Sequence, residues 1–347
     1  MLRFLTAGES HGRALVTVLD GMPAGLRVDA EKINFQLRRR QAGHGRGGRM
    51  RIETDKAEIV SGLRRGITLG SPLSIRIVNR DFRIEQMPSV TCPRPGHADL
   101  AGLLKYGLDD IRDVLERASA RETAARVASG SVCRILLEYF GMKFASRVLK
   151  VGGETNPGKF NAVIDKAAEE RDTVGGIFEV AASGVPAGLG SYAQYDKRLD
   201  AGLAAALVSI PGVKAVEFGL GFGYADKPGS ECHDPVYYSR GRGYFRKSNN
   251  AGGIEGGISN GEEIILRACM KPICTLLKPL DSVNINTKKS AKAAVERSDI
   301  AVVEAAGVVA EAVTACVLAG AFLDKFGGDC LEDINSAYLA YLKRIRK

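Results

Sequence analysis

Apolar positions recur along the chain at helical and strand-like spacings regular enough to place most of the long elements. Between about residues 119 and 140, Ala128, Val132, Ile135, Leu136 and Tyr139 fall on one helix face. Ser119 and Glu122 stand ahead of them in the order of a capping box, and Gly141 suits the far cap. A helix is predicted from about Asp29 to Arg40, with Ile33 and Leu37 inward and arginines crowding its end. Others are predicted from about Asp196 to Ser209 and from Leu331 to Ile345, where Leu331, Ile334, Tyr338, Leu342 and Ile345 share a side. Strand-like runs cover Leu15 to Leu19, Leu73 to Val78, Ile177 to Ala182, Val216 to Phe222 and Ile264 to Cys269. The run from Ile300 to Phe326 is long enough to raise the question of a membrane span. Glu304 and Glu311 interrupt it and small Ala and Gly fill it, so it reads as a buried core helix.

Periodicity alone therefore predicts a mixed α and β fold. No Pro/Ser-rich linker divides the chain, which is treated as one domain over 1–347. One hexapeptide echoes: Gly21–Leu26 (Gly-Met-Pro-Ala-Gly-Leu) returns as Gly184–Leu189 (Gly-Val-Pro-Ala-Gly-Leu), each time between a strand-like run and a helix. Two Pro/Gly turns selected for the same local reason, or an internal duplication, would both produce it.

Charge narrows the partners. A formal charge of +9 on 347 residues points to anions, whether nucleic acid, a membrane surface or phosphorylated small molecules. Seven cysteines without a C-x-x-C pair read as reduced thiols in a cytoplasmic protein, and Arg3 and Glu9 break the first residues before a signal-like apolar run develops. His233, in Cys-His-Asp-Pro, has no second ligand at metal-binding spacing, so no metal site is predicted.

The candidate chemistry lies in Gly-rich, basic segments. In Gly8–Gly12 (Gly-Glu-Ser-His-Gly), His11 has little steric cover, which suits a ligand-facing imidazole or an ordinary surface loop. Arg38–Arg49 places Arg40 and Arg46 in a glycine-rich loop able to fork onto phosphate or carboxylate, with His44 as a loop histidine. Arg94–Asp99 (Arg-Pro-Gly-His-Ala-Asp) turns Arg94 and His97 toward one point, while Asp99 suits a helix cap as well as a catalytic role. Arg117–Thr123 brings Arg117 and Arg121 to a helix N-terminus, a ready anion site. Three more segments complete the set: Ser248–Ile258, with a run of glycines, Lys271–Thr275, and Arg297–Asp299, where Asp299 could simply cap the helix that follows.

In this order and spacing the motifs resemble the signature regions of the chorismate synthases, over roughly residues 1–325. The resemblance implies an α+β fold, with β-sheets packed around a helical core and assembled as a homotetramer. It implies a lyase that uses reduced FMN to convert 5-enolpyruvylshikimate 3-phosphate to chorismate by 1,4-elimination of phosphate, the last common step toward the aromatic amino acids. By the same resemblance Arg117, Ala118, Ser119, Asn250, Ala251, Gly256, Lys271, Pro272, Ile273, Cys274, Thr275 and Arg297 contact the flavin. Arg40, Arg46, Arg94 and Arg121 hold the substrate's anionic groups, Arg40 and Arg46 also being where NADPH is placed as a source of reducing equivalents.

His11 is assigned as the acid near the departing phosphate, His97 as a proton or hydrogen-bond donor to reduced flavin, and Asp299 as a helper in moving the ring proton. Two departures stand out: Ala118 where many members carry Ser, and Ile300 where many carry Pro. The stretches at about 79–92 and 150–172 are shorter than is common. No added reductase domain is visible, which points to a separate flavin reductase. A nucleic-acid-binding protein would place its basic residues along one face rather than in separate turns beside histidines. A pyridine-nucleotide oxidising flavoenzyme of Rossmann type would need a Gly-x-Gly-x-x-Gly turn after a strand, which is lacking.

Overall fold

Two four-stranded antiparallel sheets sandwich a layer of helices, in a computed structural model that describes residues 2–296 and 298–345. The first sheet contains β1 (Arg3–Ala7), β2 (Ala14–Asp20), β3 (Ala57–Ser61) and β4 (Leu73–Val78), in the order β1-β2-β4-β3. The second contains β5 (Lys143–Val151), β6 (Gly176–Ser183), β7 (Val213–Phe218) and β8 (Ile264–Met270), in the order β5-β6-β8-β7. The helices are α1 (Ala30–Gln41), α2 (Asp99–Tyr106), α3 (Ile111–Arg117), α4 (Thr123–Tyr139), α5 (Phe160–Glu169), α6 (Leu199–Val208), α7 (Val303–Phe326) and α8 (Leu331–Ile345).

Period-two patterning decides which sheet face is inward: Leu73, Ile75 and Ile77 of β4 are buried, whereas Val78 is half exposed. α4 lies on β2 and β4, α7 lies on β5 and β6, and the two helices meet along the middle of the molecule. They come so close that a Cβ on Gly130 would stand 2.4 Å from the carbonyl oxygen of Ala312. α7 passes the length and hydropathy test for a membrane span, but 72% of its most apolar window is buried inside the protein. It is the core helix its Ala/Gly content suggested.

The hexapeptide echo extends to the whole architecture. Each half runs strand, strand, helix, strand, short hairpin, strand, then a long central helix, with the same strand order. The two turns are fastened alike. Thr68 Oγ1 donates to Pro23 O at 2.6 Å and accepts from Leu26 N at 2.9 Å. Ser259 Oγ donates to Pro186 O at 2.6 Å and accepts from Leu189 N at 2.8 Å. Two turns that recur by chance would not share a hydroxyl clasp from a distant hairpin, so the structure favours duplication.

Several boundaries differ from the sequence-based expectations. Ser119 caps a 3₁₀ turn over Ala120–Glu122, and α4 starts at Thr123. Glu122 does not close a capping box, because its carboxylate takes Thr6 Oγ1 at 2.6 Å and Arg126 Nε at 2.8 Å. The third strand of the second half covers Val213–Phe218, and a 3₁₀ turn occupies Gly221–Asp226. The helix expected from Asp196 opens at Leu199, after a 3₁₀ turn at Tyr195–Lys197.

Candidate active site

The β1–β2 connection carries His11 and is held from three sides. Gly8 has φ +104°, and a Cβ there would meet Ala14 O at 2.3 Å, so only glycine allows the chain to leave β1 this way. Asn79, just after β4, donates its amide to the carbonyls of Glu9, Ser10 and Gly12 at 3.2, 3.2 and 2.8 Å. From α3, Glu116 offers its carbonyl to Ser10 N at 2.9 Å and its carboxylate to His11, at 2.7 Å from the amide and 2.9 Å from Nδ1. Burial alone would raise the Glu116 carboxyl, but the hydrogen bonds from the His11 ring and amide hold it below its usual range. The other ring nitrogen, Nε2, lies 3.9 Å from Asp81 Oδ2.

Four arginines gather beside this loop. Arg40, at the end of α1, donates Nε to Thr123 Oγ1 (2.9 Å) and Nη2 to Ala120 O (3.2 Å), and pairs with Asp55 at 3.3 Å. Arg121 shares Asp55 at 2.5 Å, reaches Asn79 Oδ1 at 3.0 Å and lies 3.6 Å from Glu53. Arg49 donates to Ser10 Oγ at 2.6 Å, and Arg46 Nε lies 3.4 Å from Asp299 Oδ1. The Gly47 amide also donates to Asp299 Oδ1, at 2.5 Å. Burial pulls Arg40 down to about 10; Asp55 resists, while Arg121 and Arg46 add to the fall. Arg49 is lowered too, by burial and by Arg121. Arg49 Nε and Arg121 Nη2 are buried without a hydrogen-bond partner. Paired contacts advance together along α4 and α7 (Gly130 on Ala312, Cys133 on Cys316), so both helices begin at this end of the molecule. Cations, orphaned donors and two helix N-termini together make a pocket for anions.

A second cluster centres on His97. Arg94 donates Nε and Nη2 to the two oxygens of Asp99 at 2.8 and 2.9 Å and Nη1 to Thr275 Oγ1 at 2.7 Å. His97 Nδ1 lies 2.5 Å from Asp99 Oδ1, which leaves Nε2 without a hydrogen bond among the described residues. Burial would raise the Asp99 carboxyl, yet His97 and Arg94 hold it well below the carboxylate range. Asp99 is therefore no cap: α2 has no side-chain N-cap bond. Lys271 Nζ and Cys274 Sγ both donate to Gly96 O, the thiol at 3.0 Å, and Thr173 Oγ1 donates to Ile273 O at 2.8 Å. The Lys271–Thr275 segment thus borders His97, while Arg94 stands with His97 and not with Arg40, Arg46 and Arg121. The clusters are neighbours because α2 packs on α3, where a Cβ on Gly102 would sit 2.5 Å from Val114 Cγ1.

The remaining predicted residues are dispersed. Arg117 folds back onto Gly8 O and Thr6 O, each at 2.9 Å. Ser119 Oγ donates to Ser10 Oγ at 3.2 Å, and Ala118 ends α3 against the small core of Val90, Leu103, Ile111 and Val114. Asn250 N and Ala251 N donate to Asp234 at 2.9 and 2.8 Å, and a Cβ on Gly256 would meet nothing within 4 Å. No described hydrogen bond ties that segment to either histidine cluster. Arg297 lies outside the described residues. Asp299 does not cap α7, whose N-cap is Val302 with no side-chain bond. Ile300 N donates to Gly45 O at 2.8 Å, a bond that proline could not make. His44 sits in its loop 2.5 Å from Asp165, and no metal-binding group of His, Cys, Asp or Glu occurs among the described residues.

Sequence reasoning missed Glu116, Asp81, Asn79, Arg49, Glu53 and Asp55. Glu116 adjoins Arg117 in a motif already singled out, but four residues after Arg112 it resembles an ordinary helical ion-pair mate.

The chain is similar to known proteins along its full length. A family model described as chorismate synthase matches residues 2–323. The chorismate synthase of Thermoanaerobacter pseudethanolicus is 55% identical, with 99% of each chain covered. That of Geobacter sulfurreducens is 50% identical, with 100% of each chain covered. A solved structure titled "Crystal Structure of Chorismate Synthase" superposes with a TM-score of 0.82 at 41% identity, covering 99% of this chain and 98% of that one. With the motifs, the fold and these relatives in agreement, the chain belongs to the chorismate synthase family.

Proposed function

We propose that this lyase converts 5-enolpyruvylshikimate 3-phosphate to chorismate and phosphate by 1,4-elimination, with reduced FMN bound beside the substrate. The observation that carries the reading is the anion pocket: Arg40, Arg46, Arg49 and Arg121 around His11, with Arg49 Nε and Arg121 Nη2 buried and making no hydrogen bond. A substrate with one phosphate and two carboxylates offers acceptor oxygens to those two nitrogens, adding to the charge that Glu53 and Asp55 already set against the arginines. His11 faces the departing phosphate and gives it a proton from Nε2 as the C–O bond breaks and its electron pair leaves with the phosphate. Asp299, fastened to Gly47 N and Arg46 beside the same pocket, helps carry away the ring proton, whose C–H electron pair becomes the new double bond.

The residues also fit a flavin. Beside the His97 cluster, Lys271 would offer charge for its phosphate and His97 has Nε2 free for a polar ring atom, with the Lys271–Thr275 segment along the border. Bound there in reduced form, a flavin would supply electron density for the breaking C–O bond, with no net oxidation. Of the predicted substrate ligands, Arg94 acts through Asp99, whose carboxylate it holds against the His97 ring. In this reading the protein is a cytoplasmic homotetramer, served by NADPH through a separate flavin reductase, and it works at the last common step toward the aromatic amino acids.

The test is an anaerobic assay with 5-enolpyruvylshikimate 3-phosphate and FMN, following chorismate absorbance and phosphate release. Turnover is expected with reduced flavin only. His11→Ala should lower kcat by roughly two to four orders of magnitude. An unchanged rate removes His11 from its role, and no turnover by folded, FMN-binding protein refutes the reaction.

A further inference from the structure

The site holds a buried carboxylate that none of the assigned roles uses. Glu116 is 1% exposed, and its two oxygens converge on one residue, at 2.7 Å from His11 N and 2.9 and 3.1 Å from His11 Nδ1. We propose that Glu116 is a positioning residue that keeps a proton on Nδ1 of His11, so that Nε2 is the nitrogen which exchanges protons in the pocket. The inference rests on the assignment of His11 as the acid.

The geometry argues for this in three ways. First, a carboxylate is an acceptor only, so the Nδ1 contact requires the ring to carry its hydrogen there. Second, Glu116 is held as a carboxylate from behind: Arg112 Nη1 lies 3.8 Å from Oε1, and Arg112 is itself anchored on Glu296 at 2.7 Å and on Pro88 O at 3.2 Å. Third, the same carboxylate takes the His11 amide, so ring and backbone are fixed by one group, and the ring cannot turn without breaking bonds to both oxygens. On the pocket side, Nε2 faces Asp81 at 3.9 Å, and Asp81 is balanced by Arg83 at 3.0 Å. His11 is thus flanked by a carboxylate at each nitrogen, one buried and close, the other more distant and beside the arginines. When Nε2 delivers its proton, the ring is left neutral with Nδ1–H still on Glu116, the single tautomer ready to be recharged at Nε2.

The protein has four histidines, few enough for solid-state ¹⁵N NMR of histidine-labelled enzyme, with His11 identified by its loss in His11→Gln. In the unsubstituted enzyme with its imidazoles neutral, the Nδ1-protonated tautomer of His11 is expected; a proton on Nε2 instead overturns the proposal, whatever any variant does. Glu116→Gln keeps shape but loses charge, so the hold on Nδ1–H weakens: part of the His11 population should shift to the Nε2-protonated tautomer, with kcat lowered roughly tenfold to a hundredfold while KM moves less than about threefold. Glu116→Asp should restore part of the native tautomer. A Gln variant with native tautomer and native kcat overturns the proposal. Because the tautomer is read without substrate, it stands or falls separately from the lyase reaction.

Discussion

Glu311 offers the sharpest test of what holds the central layer together. It lies inside α7 and is 2% exposed, yet it accepts four hydrogen bonds. Arg39 from α1 forks onto both oxygens at 2.7 Å, Arg134 from α4 reaches Oε2 at 2.7 Å, and Ser146 on β5 reaches Oε1 at 2.6 Å. The bond to Glu311 outweighs burial and raises the Arg39 guanidinium above its ordinary value. Glu311→Gln keeps the volume but turns one oxygen into an NH₂ that faces donors, so two of the four bonds are lost. Bonds to charged groups are worth about 1.5–3 kcal/mol each. Arg39 and Arg134 are 30% and 17% exposed, so water recovers part of the loss. The net cost should be about 3 kcal/mol. With an unfolding entropy of about 2.1 cal/mol/K per residue, a chain of 347 residues shifts by about 1.4 °C per kcal/mol. A midpoint lowered by about 4 °C in differential scanning fluorimetry is therefore expected. A shift of less than about 1 °C, or a rise, would refute the idea that this carboxylate ties α1, α4 and β5 to α7.

Thr314, three residues along the same helix, is 0% exposed, and its hydroxyl lacks a hydrogen-bond partner; Thr314→Val should stabilise by about 1 kcal/mol, seen as a higher urea midpoint. Gly130→Ala drives a methyl into the Ala312 backbone and should cost about 3 kcal/mol or more, visible as loss of soluble protein or a sharply lower midpoint. Thr68→Ala and Ser259→Ala each free a buried carbonyl and amide, and both should cost about 1–3 kcal/mol; a large effect in one half and none in the other counts against equivalent clasps. Asp99 and Glu116 have folded pKa values below their unfolded ones, so their stabilisation is present above about pH 4.5 and is lost as pH falls through the depressed values. Asp99→Asn should accordingly flatten the acid side of the midpoint-against-pH curve.

How far the sequence could be read depended on the physics behind each feature. The long amphipathic and all-apolar helices were legible because burial imposes their period, and β4 was legible because one face is apolar. β1 was not, since its five residues alternate between exposed and half-buried without an apolar face. α3 was hidden by its polar content: Arg112 and Glu116 are buried because they pair with Glu296 and His11, and those partners are distant in sequence. The same limit applied to the site. Gly-rich turns and arginines announced an anion pocket, but Asp55, Glu53 and Asn79 look like ordinary loop residues until the fold brings Arg40 and Arg121 onto them. Asp99 opens a helix and Asp299 precedes one, so both read as caps, and only the geometry shows them turned toward a histidine or an arginine instead.

The matched halves set a problem for the chain while it folds. Two hairpins of like strand order, each ending in a Pro-Ala-Gly turn that seeks a hydroxyl, can be exchanged in a collapsed chain at little energetic difference. What separates right from wrong pairing is the unequal link between the first two strands: six residues around His11 in one half, and a 24-residue segment with α5 in the other. A short tether closes quickly and a long one slowly, so the half that carries His11 should assemble first and the other half dock onto it. The loop that serves the chemistry would then also keep the two copies from being confused.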